Sequence, residues 1–127
     1  MNFDHAGVAT DDAEGLAFLY EDLFGCEIAH EERFGELRVL FLELGNGYFG
    51  LLEPQDDGTI SRYLDEHGAG LHHVAVETDD IEAALGTAES VGVELIDEEP
   101  RRGAWGHRVA FLHPKSTGGV LVEFVEH

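Results

Sequence analysis

The sequence predicts an α+β protein built from two copies of one βαβββ module. The first reason is a repeated motif, because DHAGVATDD at residues 4–12 returns as HHVAVETDD at residues 72–80, 68 positions further along. The second reason is that each copy continues with apolar residues at helical spacing and then with three strand-like segments. Since a chain of 127 residues is ordinarily one domain, we predict that the two modules pair about a pseudo-twofold axis in a single domain, residues 1–127.

The first module covers about residues 3–53 and begins with a strand that carries His5. A helix is predicted next, because apolar residues recur at helical spacing from Leu16 to Leu23. A threonine or aspartate oxygen just before this helix can accept from the unpaired amides of its first turn. Gly25 is then expected to end the helix. Three strands separated by turns are predicted to follow, at residues 26–30, 37–44 and 48–53.

The second module covers about residues 71–126 and repeats this order, with His73 on its first strand. Its helix is predicted from Ile81 to Ala88, and Gly92 is expected to end it. Its three later strands are predicted at residues 93–97, 107–113 and 120–125. The linker between the modules, residues 54–70, is predicted to contain a short helix with Ile60, Tyr63 and Leu64 on one face.

The charge of the chain is strongly negative, with 27 acidic residues against 7 basic ones and a net charge of −20. Lys115 is its only lysine. A charge so far from zero destabilises a compact chain unless salt screens it, which favours a halophilic protein of a salt-rich cytoplasm. It also argues against nucleic acid and anionic membranes as partners. The lone Cys26 excludes an internal disulfide and predicts a packing role.

No segment predicts export or insertion into a membrane. The N-terminal MNFDHAGVA lacks a basic region followed by an apolar core, and no apolar run approaches the ~18 residues typical of a membrane span. We therefore expect a cytoplasmic protein without a membrane partner.

Two histidines and one glutamate are the candidate site residues. A histidine on an apolar strand is more often a hydrogen-bonded core residue than a ligand, but the recurrence of His5 at His73 favours one shared site. Glu123 lies between two apolar residues, where a buried carboxylate is costly unless it is paired or coordinated. Its counterpart in the first module is Gly50. His72 alternates to the other face of its strand, so we interpret it as structural or as a neighbour of the site.

Several longer segments resemble one family, and they do so in the same order along the chain. They are DHAGVAT, LLEP, GLHHVA, DDIEAAL, GVELIDEEPRRGAWGH and FLHPKSTGGVLVE. Together they resemble the methylmalonyl-CoA epimerases of the vicinal oxygen chelate superfamily over nearly the whole chain. The resemblance implies the vicinal oxygen chelate fold, a glyoxalase-like metal site, an acyl-coenzyme A substrate and a homodimer.

The resemblance also assigns roles residue by residue. His5, His73 and Glu123 match the family's metal ligands, and Glu123 matches a catalytic acid/base group as well. Gly50 stands where the family has glutamine or glutamate as a fourth ligand, and Val39 stands where some members have a second glutamate base. Cobalt or manganese is favoured by the resemblance, while nickel, zinc or iron also suit two imidazoles and a carboxylate.

The reaction implied by this family is epimerisation of methylmalonyl-CoA at C2. Removal of the C2 proton leaves negative charge on the thioester oxygen, and a divalent metal stabilises the resulting enolate. The proton must be taken from one face and delivered to the other, so Glu123 can serve one face and a second acid/base group must serve the opposite one.

A cluster of basic residues is the candidate site for coenzyme A. Four of the seven basic residues fall within fifteen positions, namely Arg101, Arg102, Arg108 and Lys115. We expect this cluster to meet the phosphates of the substrate, although pairing of the first two with the adjacent Glu98–Glu99 run is nearly as well supported. Trp105 is a candidate wall of the substrate pocket and equally a candidate anchor of its own loop.

Three alternatives to epimerisation stay open at this point. A glyoxalase-type isomerase or a ferrous dioxygenase could use the same three ligands. The missing ligand at Gly50 is also compatible with a non-catalytic module that binds a small acid or thioester. Exchange of the C2 proton with deuterated water would separate an epimerase from a binding module, and oxygen uptake would identify a dioxygenase.

Overall fold

The computed structural model of the protein describes all residues from Met1 to His127. By the density of contacts the chain divides into two compact units. One consists of His5–His72, and the other consists of Met1–Asp4 together with His73–His127. None of the helices combines the length and the apolar composition that crossing a membrane requires.

The elements of the first half confirm the predicted βαβββ order and the linker helix. They are β1 (Asn2–Ala9), α1 (Ala13–Phe24), β2 (Glu27–Phe34), β3 (Leu37–Glu43), β4 (Tyr48–Pro54) and α2 (Thr59–His67). The strands are hydrogen-bonded in the order β2-β3-β4-β1. β1 and β4 run parallel with Gly7 opposite Gly50, whereas β3 is antiparallel to both of its neighbours.

The elements of the second half repeat the plan. They are β5 (Gly70–Glu77), α3 (Ile81–Ser90), β6 (Arg101–Arg102), β7 (Arg108–Leu112) and β8 (Val122–Glu126), with single 3₁₀ turns at Ala104–Gly106 and Pro114–Ser116. Their order is β5-β8-β7-β6. Parallel strands β5 and β8 place Ala75 opposite Glu123. Because Gly7 and Ala75 are equivalent in the repeat, this register confirms that Gly50 and Glu123 are equivalent too.

Both long helices begin and end for the reasons that the sequence suggested. The aspartates rather than the threonines cap them, since Asp12 accepts from the amide of Gly15 and Asp80 accepts from that of Ala83, both at 3.0 Å. Gly25 ends α1 in the left-handed conformation at φ 67°, where a residue with a Cβ would be strained.

Each helix packs its apolar face on the strands of its own unit. Helix α1 contributes Ala13 and Ala17 to a cluster with Leu40, Leu42 and Leu51, and α3 contributes four residues to a second cluster with Ala110, Leu112 and Phe124. Cys26 lies in the first cluster and donates its thiol to the carbonyl of Tyr20 at 3.3 Å, which confirms a packing role.

The predicted strand at residues 93–97 is wrong. Only an isolated bridge between Leu95 and Leu112 forms there. The ladder stops because the amides of Ile96 and Asp97 both donate to the carbonyl of Phe111, while the Asp97 carboxylate takes the Phe111 amide at 2.9 Å. The edge strand that does form is β6, which the sequence did not predict.

Candidate functional site

In the second half, His73 and Glu123 are held together on neighbouring strands. His73 lies on β5 two residues before Ala75, which is opposite Glu123 on β8, so both side chains stand on the same face. The imidazole Nε2 is 3.5 Å from the carboxylate Oε1. The two side chains are only 6% and 9% exposed. The structure therefore places a buried carboxylate next to a buried imidazole, as the sequence predicted for each residue separately.

The ring of Phe111 fixes His73 from the side of β7. Phe111 is directly opposite Glu123 in the antiparallel β7–β8 pair. Its ring meets the His73 imidazole edge to face, with 5.5 Å between centroids and an angle of 84°, a favoured geometry for aromatic pairs. The imidazole is thus held in one orientation against an apolar partner.

In the first half, His5 is buried and packs against a phenylalanine in the same way as His73 does. Its ring meets Phe41 edge to face, with 5.3 Å between centroids and an angle of 82°. Phe41 is opposite Gly50 in the β3–β4 pair. A Cβ added at Gly50 would lie 3.1 Å from Cε1 of Phe41 and 3.4 Å from Cδ2 of His5. The two rings therefore lie close against the place where a side chain at position 50 would begin.

Sequence reasoning did not single out the two phenylalanines. Phe41 and Phe111 are 70 positions apart, close to the 68-residue step of the repeat, so the signal was present. Their function is visible only when the register of β3 with β4 and of β7 with β8 is known.

The donor set of the second half suits a divalent metal ion. A neutral imidazole nitrogen and a carboxylate oxygen are ligands for cobalt, manganese, nickel, zinc and ferrous iron. A carboxylate as buried as that of Glu123 is stable when a cation or a hydrogen-bond donor offsets its charge. A bound metal at this position would meet that requirement.

Val39 offers no acid or base where some family members have glutamate, because its side chain is apolar and buried. The residue opposite it on β2 is Glu32. Cross-strand partners share a face of the sheet, and the Glu32 carboxylate is 3.0 Å from Nε2 of His30. This partly buried polar pair was not identified from the sequence.

Glu53 is engaged away from the candidate ligands. Its carboxylate accepts from the amide of Ala13 at 2.8 Å, at the first residue of α1. Because Glu53 is three residues after Gly50 on β4, its side chain is expected on the opposite face, which agrees with this contact. Glu53 therefore secures a helix and cannot replace the missing ligand.

The predicted basic cluster contains residues in two different states. Arg101 donates to Asp97 at 3.2 Å and lies over the ring of Phe111. Arg108 donates to Glu82 with both terminal nitrogens and to Glu126 at 3.0 Å. The hydrogen bonds to Glu82 and Glu126 raise the pKa of Arg108, and Arg108 lowers that of Glu82.

The other two members of the cluster, Arg102 and Lys115, make no ion pair and are exposed. Lys115 lies in the 3₁₀ turn after β7, where its amide donates to Nδ1 of His113 at 3.1 Å. These two residues carry the cationic charge of the cluster that carboxylates do not already offset.

Trp105 is the one non-glycine residue with a positive φ, at 63°. Its indole stacks on His107 with 5.6 Å between ring centroids. His72 packs edge to face on Tyr63 at 4.8 Å, away from the buried face of β5, which is the structural role that its alternation suggested.

Comparison with known proteins identifies the family to which the chain belongs. Residues 4–111 match the glyoxalase/bleomycin resistance protein/dioxygenase superfamily. The chain is 36% identical to the mitochondrial methylmalonyl-CoA epimerase of Homo sapiens over 94% of its own length and 70% of that protein. It is 35% identical to the ethylmalonyl-CoA/methylmalonyl-CoA epimerase of Cereibacter sphaeroides over 94% of its own length and 93% of that protein.

A solved structure gives the same relationship in three dimensions. It is a variant of the Streptomyces coelicolor methylmalonyl-CoA epimerase in complex with 2-nitronate-propionyl-CoA. Its TM-score against this chain is 0.93 at 35% identity, over 99% of this chain and 94% of that one.

Proposed function

Because the chain belongs to the methylmalonyl-CoA epimerase family of the glyoxalase superfamily, we propose that it interconverts the C2 epimers of methylmalonyl-CoA with a divalent metal ion. The observation that carries this proposal is the buried pair of His73 and Glu123 at 3.5 Å. A carboxylate buried beside an imidazole is the arrangement that both metal binding and proton transfer require.

The proposed ligands are His5, His73 and Glu123. Two features support the set: each residue is buried, and each histidine is held by a phenylalanine edge in nearly the same geometry. Gly50 adds no ligand, so the protein would supply three ligands and leave the remaining positions to substrate oxygens or water. When bound, a divalent cation would stabilise the negative charge that develops on the thioester oxygen.

Glu123 is the proposed acid/base group for one face of C2. Its carboxylate takes the C2 proton, the C–H electrons move toward the thioester oxygen, and a second acid/base group on the opposite face gives its proton to C2 to complete the inversion. The surroundings of Glu123 are partly apolar, with Phe111 opposite it and Val125 two residues on, and its side chain is 9% exposed.

The coenzyme A part of the substrate is proposed to meet Lys115 and Arg102. Both are exposed and neither is paired with a carboxylate, so they offer positive charge to phosphate on a chain of net charge −20. Arg101 and Arg108 hold carboxylates already and would contribute less. Trp105 is proposed as a wall of the same pocket.

The enzyme is further proposed to work as a homodimer in the cytoplasm. The homodimer is what the sequence resemblance to the epimerases implies, and the strongly acidic composition favours a salt-rich cytoplasm. Analytical ultracentrifugation in concentrated salt gives the oligomeric state directly.

The test of the function is exchange of the C2 proton of methylmalonyl-CoA with deuterated water. We expect the cobalt-loaded protein to incorporate deuterium at C2 and to convert one epimer into the other, and we expect the chelator-treated protein to do neither. Metal-loaded protein that binds the thioester without exchange would support a binding module. Oxygen uptake would support a dioxygenase instead.

A further inference from the structure

The face of the sheet that carries His73 and Glu123 holds a second group of ligand-capable residues further along the same strands. Side chains two apart on a strand share a face, so three rows follow one another. The rows are diagonal, because each β5 residue lies two positions before the residue that would be directly opposite its partner on β8, as His73 lies before Ala75. The first row is His73, Glu123 and Phe111; the second is Ala75, Val125 and Val109; and the third is Glu77, His127 and His107. His107 directly precedes β7, and His127 directly follows β8.

The first and third rows repeat one diagonal relationship. His73 on β5 faces Glu123 on β8 at 3.5 Å, and four residues further Glu77 on β5 faces His127 after β8 at 3.7 Å. The middle row is a buried apolar cluster, because Ala75, Val125 and Val109 are 0%, 2% and 5% exposed. Four residues of a strand span about 13 Å, so the two groups are separate sites.

Asp4 on β1 completes the third row with a second carboxylate. Nε2 of His127 is 2.6 Å from Oδ1 of Asp4. The Asp4 side chain is 8% exposed, against 33% for Glu77 and 38% for His127. One ligand atom from each of the three residues lies within 4.8 Å of the other two.

A first-row divalent ion could be held here after a small movement of the ligand atoms. Ligands at about 2.0 to 2.2 Å from a tetrahedral ion lie roughly 3.3 to 3.6 Å from one another. Glu77, at 3.7 Å from Nε2 of His127, is close to that spacing, whereas Asp4, at 2.6 Å, is at hydrogen-bond distance and would have to move away from the ring to bind the same ion. The stacking of His107 on His127, at 4.0 Å between centroids and 18° between planes, limits rotation of the ligand ring. Trp105 in turn stacks on His107.

We propose that Asp4, Glu77 and His127 form a second divalent-cation site, for a zinc- or cobalt-like ion. One imidazole and two carboxylates suit such an ion. Its charge would offset both carboxylates in a chain of net charge −20. The site would tie β1, β5 and the end of β8 together, which is a structural role. The proposal is independent of the epimerase function, because no residue of the two ligand sets is shared.

A third acidic group of the same unit shows why ligand count alone does not make a site. Asp80, Glu82 and Glu126 also lie within reach of one ion. Arg108 already occupies that position with hydrogen bonds to Glu82 and Glu126, so two of the three carboxylates already have a cationic partner.

The experiment is a count of bound cobalt by equilibrium dialysis, on full-length protein freed of any affinity tag. We expect two equivalents for the wild type and one for His127→Ala, with epimerase activity retained. His67→Ala is the matched control, because it removes an exposed histidine of α2 and should keep two equivalents. His73→Ala should lose the other equivalent and keep the one at His127.

The proposal is overturned if His127→Ala binds as many equivalents of cobalt as the wild type does. A wild type that binds one equivalent, lost in His127→Ala and kept in His73→Ala, would support this site and count against the metal at His73. A second measurement covers the case in which a variant does not fold. Zinc titration of protein labelled with ¹⁵N-histidine should shift the His127 ring nitrogens as those of a ligand while leaving those of His67 unchanged. An unshifted His127 at saturating zinc would overturn the proposal on wild-type protein alone.

Discussion

The two modules hold their histidines in the same way and differ in the residue opposite the supporting phenylalanine. In the first module the edge of Phe41 holds His5, and in the second the edge of Phe111 holds His73, with centroid distances of 5.3 and 5.5 Å. The residue opposite the phenylalanine is Gly50 in the first module and Glu123 in the second. The histidine and its aromatic support are duplicated, but the carboxylate is present once.

The framework that joins each helix to its strands is duplicated as well. Glu53 accepts from the first amide of α1 at 2.8 Å, and Glu126 accepts from the first amide of α3 at 2.9 Å. Arg38 lies 3.6 Å from Glu14 of α1, and Arg108 pairs more closely with Glu82 of α3. The repeat therefore preserves these helix-to-strand contacts in both halves, whereas the carboxylate beside the buried histidine is present in the second half only.

The largest expected effect is at the single carboxylate. Glu123→Gln removes the proposed acid/base group and a charged ligand while keeping the shape of the side chain. We expect C2 exchange to fall by about 10²- to 10⁴-fold, the range typical of a lost general acid/base. Glu98→Gln is the matched control, because Glu98 is exposed and should leave the rate unchanged. A Glu123→Gln protein as fast as the control would remove Glu123 from the mechanism.

The next largest effect, on cobalt affinity, is expected when a carboxylate is placed at position 50 of the first module. Gly50→Glu should bind cobalt roughly tenfold more tightly, since an added negative oxygen ligand strengthens the hold on a divalent ion. The second module shows that a phenylalanine and a glutamate fit opposite each other in this frame. Phe41 must still move a few tenths of an ångström to admit the new Cβ.

Gly50→Ala separates this steric effect from the ligand effect. It adds the Cβ without an oxygen, so it should not tighten cobalt binding. Equal cobalt affinity in Gly50→Ala and Gly50→Glu would mean that position 50 does not face the metal, and the equivalence of Gly50 and Glu123 would then have no functional meaning.

A smaller effect, on stability, is expected when the glutamates that accept from the first amides of α1 and α3 are removed. Glu53→Ala and Glu126→Ala each remove a charged acceptor from a first-turn amide, which should lower the free energy of unfolding by about 1 to 2 kcal/mol. Glu126→Ala should cost more, because Glu126 also holds Arg108. Urea unfolding at neutral pH measures both. If Glu53→Ala lowers the free energy of unfolding more than Glu126→Ala does, the ion pair between Glu126 and Arg108 adds nothing to stability.

The smallest effect concerns the helix-to-strand ion pairs. Arg108 lowers the pKa of Glu82, so the stabilisation from this pair is present above the ordinary pKa of a glutamate and is lost as pH falls through the lowered folded value. Thermal melting should show a small loss of stability in Glu82→Gln at pH 7 that vanishes in strong acid. Glu14→Gln, at the longer pair, should show less.

Much of the fold could be predicted because the chain repeats itself. The motif around His5 returned at His73, and the spacing of apolar residues placed both helices within a few residues of their observed bounds. The exception is the segment 93–97, whose apolar alternation predicts a strand. There the side chain of Asp97 takes the amide that a neighbouring strand would need, and a tertiary contact of this kind is not visible in local sequence.

The candidate site could be predicted only in part, for a related reason. His73 and Glu123 were identified because a histidine recurs and a glutamate interrupts an apolar strand. The supports Phe41 and Phe111, and the group around His127, depend on which residues face each other across strands. The ion pairs of Arg101 and Arg108 likewise depend on partners up to 26 positions away.

We propose that one carboxylate, from the second module only, joins two histidines at the metal. Anomalous diffraction at the cobalt edge, from crystals of cobalt-loaded protein, would locate the ion and its ligands. We expect an ion coordinated by His5, His73 and Glu123, with no protein ligand from position 50. An ion that binds without His5 or without Glu123 would rule the proposal out.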